Sequence, residues 1–335
     1  MESVKAVSIK LDSVRLMVMR LKSGWGKVVG KYLLVVAMVV CFPWIVTLLL
    51  TGEYKGNGYG MSSGDYYVIV DDKKVGIEDF VAYALVKQID MDAQEEALKA
   101  QGVIVRTYIY EKMASNKVKE INVKKLDLDY ITYEEMERIW DEEFPEKFNK
   151  LMRVVEATYG QVIMHEGEPI KPYFHSVSCG YTRSGDVLGD GYKYLVSVQS
   201  VGDVDSENYQ SSVSFSKEEF VKKLRKADEK IALSIEAPIE TMQIIKRDKG
   251  GYVEELQIGN VVMTGDKFMN IFELNSPNFQ VEESDGQICI ITKGLGHGIG
   301  LSIYGANTLA KSGKTYIEIL QHYYSEVYLE PLWEE

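Results

Sequence analysis

The longest stretch without a polar break is Tyr32 to Leu50, YLLVVAMVVCFPWIVTLLL, which carries no charged side chain. A helix needs about 20 apolar residues to cross the hydrocarbon core of a bilayer, so this run predicts a single membrane-spanning helix over 32–50. Pro43 within it is tolerated, because lipid-buried helices absorb such kinks. The run exceeds the apolar core of a cleaved leader and lacks a small-x-small cleavage site, which disfavours that alternative. Beyond it, residues 51–65 are rich in Gly and Ser and read as a flexible tether. Tyr66 to Val70 is a short strand-like run closed by the turn residues Asp71 and Asp72. In the following IEDFVAYALVKQI, Ile77, Phe80, Val81, Ala84 and Leu85 recur at helical spacing and form one buried stripe. Gln88 comes next on that stripe, where an amide is either hydrogen-bonded in a packed site or lines a cleft. A second helix is predicted from Glu95 to about Tyr110, with Ala97, Ala100, Ile104 and Tyr108 inward. Glu95, Lys99, Gly102 and Arg106 run down another of its faces, read either as solvated or as meeting an anionic ligand. Further on, Phe215 to Ala227 predicts an amphipathic helix, and Ile239 to Met263 alternates as strands around a Lys249-Gly250-Gly251 turn. Helices and strands interleave without a βαβ rhythm, so residues 66–335 are expected to form one α+β domain.

Charge orients this plan. Residues 1–31 hold seven basic and two acidic side chains, a net of +5, so the residues after the apolar run carry −17 of the chain's total of −12. Basic residues flank the cytoplasmic side of membrane helices, which places 1–31 inside the cell as a basic tail and the body outside, in a single-pass cell-membrane protein. The segment Ser8 to Lys22 mixes apolar and basic positions in a way suited to the inner leaflet. An acidic body argues against nucleic acid as a partner, since phosphate binding needs clustered Lys and Arg.

Three segments then stand out in order. VGIEDFVAYALVKQIDMDAQEEALKAQGVIVRTYIY, VEATYGQVIMHEGEPIKPYFHSVSCGYT and GLGHGIGLSIYGAN followed by YIEILQHYY together resemble the stage II sporulation protein D family and the related amidase-enhancer domains. The family's pattern is a helix ending in Glu-Met-Pro before EALKAQ and Arg-Thr-Tyr, then Phe-His-Ser-x-Ser-x-Gly-x-Thr, then Gly-His-Gly-x-Gly-x-Ser-x-x-Gly-Ala. The resemblance covers roughly residues 66–328.

It implies a lytic transglycosylase that cleaves peptidoglycan glycan strands stripped of stem peptides, acting with other sporulation proteins. That chemistry needs a carboxylic acid that protonates the leaving glycosidic oxygen and then, as carboxylate, takes a proton from the sugar's own hydroxyl as an anhydro ring closes. Counting back from EALKAQ, the family's acid falls on Gln88, and Met-Pro becomes Ile89-Asp90. An amide has the acid's shape but no proton to give. Asp90, Asp92 and Glu95 are the nearest carboxylates that offer an alternative acid. The resemblance further implies Lys99, Gln101, Arg106, His175, Ser176, Ser178, His297, Ser302 and Tyr304 as residues that contact glycan. Leu295 and Ile303 replace a common Trp and Gln of the family, and both substitutions reshape the expected groove.

His175 and Cys179 stand four apart, a spacing that some relatives use near a zinc site, but a full set of four ligands is lacking, so neither metal nor cofactor is expected. Cys179 and Cys289 both lie in the body, where a disulfide forms if geometry allows. The expected function is therefore a membrane-anchored binder of peptidoglycan glycan strands with impaired or absent cleavage. The alternatives are an active transglycosylase that uses another carboxylate, or a scaffold or activator of a cell-wall hydrolase that does not bind glycan.

Overall fold

In the computed structural model, which describes residues 64–333, the chain opens on β1 (Tyr67–Val70), paired antiparallel with β2 (Lys73–Gly76) and parallel with β3 (Glu120–Asn122). The predicted span 32–50, the basic tail and the tether up to residue 63 lie outside the described residues. No described helix is long and apolar enough to cross a membrane.

The helix α1 (Ile77–Gln88) starts directly after β2, with Glu78 and Asp79 in its first turn, and stops where Ile89 turns to extended backbone. The single stripe expected for it is too narrow. Every residue from Ile77 to Leu85 is buried, Glu78 and Asp79 included, because neighbouring elements enclose the helix on all sides. The next helix, α2 (Glu95–Asn116), runs past the predicted end at Tyr110 and finishes where Lys117 adopts left-handed backbone. The face read as either solvated or meeting an anionic ligand is also revised, since Gly102 and Arg106 are buried. Helix α3 (Tyr133–Trp140) begins with a capping box between Thr132 and Glu135, and α4 (Phe144–Ala157) follows. The rings of Tyr133, Phe144 and Phe148 lie 4.8–5.2 Å apart and hold this pair together.

A second apolar cluster gathers residues 215–290. Its strands form the sheet β11 (Phe279–Ser284), β12 (Gln287–Lys293), β7 (Gln210–Ser216) and the sheet β10 (Val261–Thr264), β9 (Val253–Ile258), β8 (Met242–Arg247). Helices α5 (Lys217–Ala227) and α6 (Gly265–Phe272) pack with them through stacked Phe220, Phe268, Phe272 and Phe279. Phe215 belongs to β7 rather than to the predicted helix. The helix starts after Ser216, whose hydroxyl accepts the Glu219 N–H.

The third cluster joins the inner face of α2 to β4 (Gln161–His165), β6 (Phe174–His175), β13 (Leu301–Ser302), α7 (Ile303–Lys311) and α8 (Tyr316–Tyr323). Between β4 and β6 lies the short β5 (Glu168–Pro169), and β14 (Tyr328–Pro331) pairs with β4. The parallel pairing of β6 with β13 sets Phe174 opposite Leu301 and His175 opposite Ser302. Two motifs more than a hundred residues apart in sequence thereby meet. The described residues are mixed α+β, as the pattern of helices and strands predicts.

Candidate functional site

Gln88 is the last residue of α1 and is half-buried. The chain leaves it through Ile89, Met91 and Ala93, whose apolar side chains are buried, while Lys150 Nζ donates to the carbonyls of Met91 and Ala93 at 2.6 and 2.7 Å. The turn before α2 is tied across to α7 by the Gln94 N–H, which donates to Asn307 Oδ1 at 2.9 Å. Gln88 lines a cavity of about 250 Å³. Gln88, Ile89, Asp90 and Ala93 form one wall. Ser176 and Val177 form a second, Ser206 and Asn208 a third, and Ile303, Tyr304 and Asn307 of α7 a fourth. The Tyr304 N–H donates to the Ser176 carbonyl, which joins the second and fourth walls. Among the described residues the Gln88 amide makes no protein hydrogen bond, so it is open to a ligand. The rest of the lining mixes the aliphatic Ile89, Ala93, Val177 and Ile303 with the hydroxyl and amide groups of Ser176, Ser206, Tyr304, Asn208 and Asn307.

Of the residues expected to act here, Gln88, Asp90, Ser176 and Tyr304 come together in this cavity. Asp90 is its one carboxylate among the described residues. It is exposed, and its Oδ1 accepts the Asp92 N–H at 2.9 Å. Asp92 lines a different cavity, of about 550 Å³, beside Lys147, Lys150 and Arg153. Glu95 is paired with Arg153 at 2.9 Å, and that hydrogen bond holds its carboxyl below the usual range, a state opposed to proton donation.

The other expected contacts sit elsewhere. Lys99 is bound to Glu96, whose second oxygen accepts the Tyr316 N–H at the start of α8, so both belong to an internal tie between helices. Arg106 is fully buried, its Nε and Nη2 donating to the two oxygens of Glu78 at 2.8 and 2.6 Å, with Nη1 on the Gln161 carbonyl at 3.2 Å. Gln101 is buried, and neither of its side-chain amide atoms has a partner. Ser178 and Ser302 are buried behind the cavity and face Asp203. Sequence patterns had not singled out Ser206, Asn208, Asn307 or Asp203. Only Asn307 lay inside a quoted motif; Asp203 sits in the short 3-10 turn Val201–Asp205, and Ser206 and Asn208 in the loop after it.

Cys179 and Cys289 are both free thiols. The Cys179 thiol donates to the Gly250 carbonyl, and burial pushes its pKa up, so it is a packing group rather than a nucleophile. Among the described residues no three His, Cys, Asp or Glu side chains gather in a way that would hold a metal ion.

A sequence profile described as stage II sporulation protein matches residues 69–165, a span that contains α1, Gln88 and α2. The stage II sporulation protein D of Bacillus amyloliquefaciens is 29% identical over 262 residues, covering 76% of this chain and 74% of that protein. The protein of the same name from Bacillus subtilis is 29% identical over 259 residues, 75% of this chain and 74% of its own. The chain is thus similar to the stage II sporulation protein D family over about three quarters of its length. An uncharacterized protein of Brachyspira hyodysenteriae is 27% identical over 287 residues, covering 82% of this chain and 72% of that one.

Two of the motif residues that carry the likeness to stage II sporulation protein D lie side by side, a buried His175 and a half-buried His297. His175 Nδ1 donates to the Ile299 carbonyl at 3.2 Å, its Nε2 is buried without a partner, and its ring lies 5.8 Å from that of His297. His297 Nδ1 accepts the Ile299 N–H at 3.0 Å, which assigns the neutral tautomer with hydrogen on Nε2. The glycines around them leave no room for a side chain: a Cβ on Gly298 would fall 2.4 Å from the Tyr252 ring, and one on Gly300 would fall 1.9 Å from the Tyr173 carbonyl oxygen.

Burial first, then the neighbouring His297, push His175 down to about 3, against the weaker upward pull of its backbone hydrogen bond. Burial, then the Arg183 charge, lower His297 as well. Both therefore bind protons more readily in the unfolded chain. Their contribution to stability is complete above the unfolded value of about 6.5 and is lost as pH falls from there toward the folded value, by up to about 1.4 kcal/mol per pH unit for each ring. The urea midpoint is expected to drop between pH 7 and pH 5, and His175→Gln is expected to make that drop shallower. Equal slopes for the two proteins would count against a buried neutral His175.

Proposed function

We propose that this protein binds peptidoglycan glycan strands in the Gln88 cleft and that its lytic transglycosylase activity is impaired or absent. Similarity to the stage II sporulation protein D family supports a role in sporulation and the cell wall. The single observation that carries the finer reading is the free Gln88 amide at the end of an apolar helix, in a cleft that combines aliphatic side chains with hydroxyl and amide groups. An amide accepts and donates hydrogen bonds to a sugar as the acid would, yet it has no dissociable proton for the glycosidic oxygen. The body is proposed to face the wall from outside the membrane, anchored by residues 32–50 with the basic tail in the cytoplasm. Other membrane-anchored sporulation proteins and cell-wall hydrolases are its proposed partners.

The full chain, purified in mild detergent, is expected to be retained on denuded, peptide-free glycan strands. Tyr304→Ala, which removes an aromatic wall of the cleft, is expected to weaken retention roughly tenfold. Absence of retention by the unaltered chain would favour a scaffold or hydrolase activator that has no glycan affinity. A second reading rests on Asp90, the carboxylate beside Gln88 in the cleft, as a substitute acid. It predicts anhydro-muropeptides from the unaltered chain that disappear in Asp90→Asn.

A further inference from the structure

Asp203 is fully buried and makes no ion pair among the described residues, an arrangement that costs several kcal/mol unless hydrogen bonds satisfy the charge. They do so here. Its Oδ2 accepts the Ser178 N–H at 2.8 Å and its Oδ1 accepts the Ser302 hydroxyl at 2.9 Å, with the hydroxyls of Ser178 and Ser200 also directed at the carboxylate. Ser302 is the N-cap of α7 and accepts the Gly305 N–H at 3.2 Å, so the carboxylate sits against the positive end of that helix. The Ser200 hydroxyl meets the Tyr323 hydroxyl of α8 at 2.8 Å. Gly305 lies directly over this group. A Cβ there would come within 2.2 Å of Ser200 Oγ, 2.3 Å of the Tyr323 hydroxyl and 3.1 Å of Asp203 Oδ1.

The partners of Asp203 adjoin the cleft. Ser178 follows Ser176 and Val177, Ser302 precedes Ile303 and Tyr304, and Ser206, whose N–H donates to the Asp203 carbonyl, leads to Asn208. The second, third and fourth walls are therefore joined through one residue, and the Gln88 wall is tied to α7 by Asn307. We propose that Asp203 is the positioning residue of the Gln88 cleft, a buried carboxylate that holds the Ser176, Ser206 and Tyr304 walls in register from behind without touching the ligand. Ser178 and Ser302 accordingly act through Asp203 rather than on the glycan.

Hydrogen exchange on the full chain in detergent tests this. Asp203→Ala is expected to raise exchange roughly tenfold or more in residues 174–180, 203–208 and 301–307 together, while 253–272 is unchanged. Asp203→Asn keeps an acceptor for the Ser178 N–H and is expected to restore most of the protection. If only one of the three segments loosens, if the whole body does, or if Asn behaves as Ala does, the proposal is overturned. Should Asp203→Ala fail to fold, Ser302→Ala removes a single link and is expected to loosen 301–307 alone; unaltered exchange there is equally fatal. A retention arm rests on the glycan reading: Asp203→Ala is expected to bind denuded strands about tenfold more weakly, and Asp203→Asn nearly normally. An unaltered chain that is not retained sinks the glycan reading, while the exchange pattern still decides the role of Asp203.

Discussion

Gln88→Glu is expected to turn a chain that releases no anhydro-muropeptides from denuded glycan strands into one that does. The substitution changes one amide into a carboxylic acid of the same shape, at a position already open to the cleft. Two features of the site would keep such an acid protonated at working pH. It is half-buried at the end of an apolar helix, and it sits at the C-terminal, partially negative end of α1. Both disfavour a carboxylate. Among the described residues no basic side chain lines the cavity to oppose them. General acid catalysis contributes about 10²–10⁴ in rate, and more where one group serves as acid and then as base, so the gain should be of at least that size. Mass spectrometry of digests made with the full chain in detergent reads the result. Silence from Gln88→Glu, with retention on glycan intact, would show that more than the proton is missing. Product from the unaltered chain would overturn the idea of a silent binder.

The largest loss of stability is expected at Arg106. Its guanidinium and the Glu78 carboxylate are both inaccessible to solvent and meet in a two-pronged pair, and Glu78 also accepts the Gly160 N–H at 3.1 Å. This fork joins α1, α2 and the start of β4. Removing one partner strands the other charge in the core, so Arg106→Met is expected to cost about 3–5 kcal/mol. Replacing both, as Glu78→Met with Arg106→Met, is expected to recover much of that loss, because well-packed apolar groups often equal a buried ion pair. Urea midpoints for the two single variants and the double variant form the cycle. If Arg106→Met leaves the midpoint unchanged yet abolishes glycan retention, Arg106 serves the ligand and not the core.

These expectations rest on different kinds of information. The motif order was legible from residues alone, and so were the two helices that lead into and out of Gln88, since apolar spacing reports one buried face reliably. Spacing does not report a helix buried all round. Ile77 to Leu85 therefore looked like a single stripe, and Gly102 and Arg106 looked like part of a solvated face. A charged residue reads as exposed until its partner is known, and Glu78 lies 28 positions away. His175 was misjudged for a related reason: it ends β6 buried in the core, whereas Ser176, the next residue, is exposed and lines the cleft.

The sequence alone determined that an amide stands at position 88, at the end of α1, because residue identity needs no coordinates. It also carried the motifs by which the family is recognised and the mixture of helix and strand. Which residues share the cleft was decided by tertiary structure. Gln88, Ser176, Asn208 and Tyr304 come from four separate segments, and it is the β6–β13 pairing and the Asp203 hydrogen bonds that gather them. Local propensity sets the elements one by one, whereas a site depends on contacts between residues far apart in sequence, which form only when the core closes.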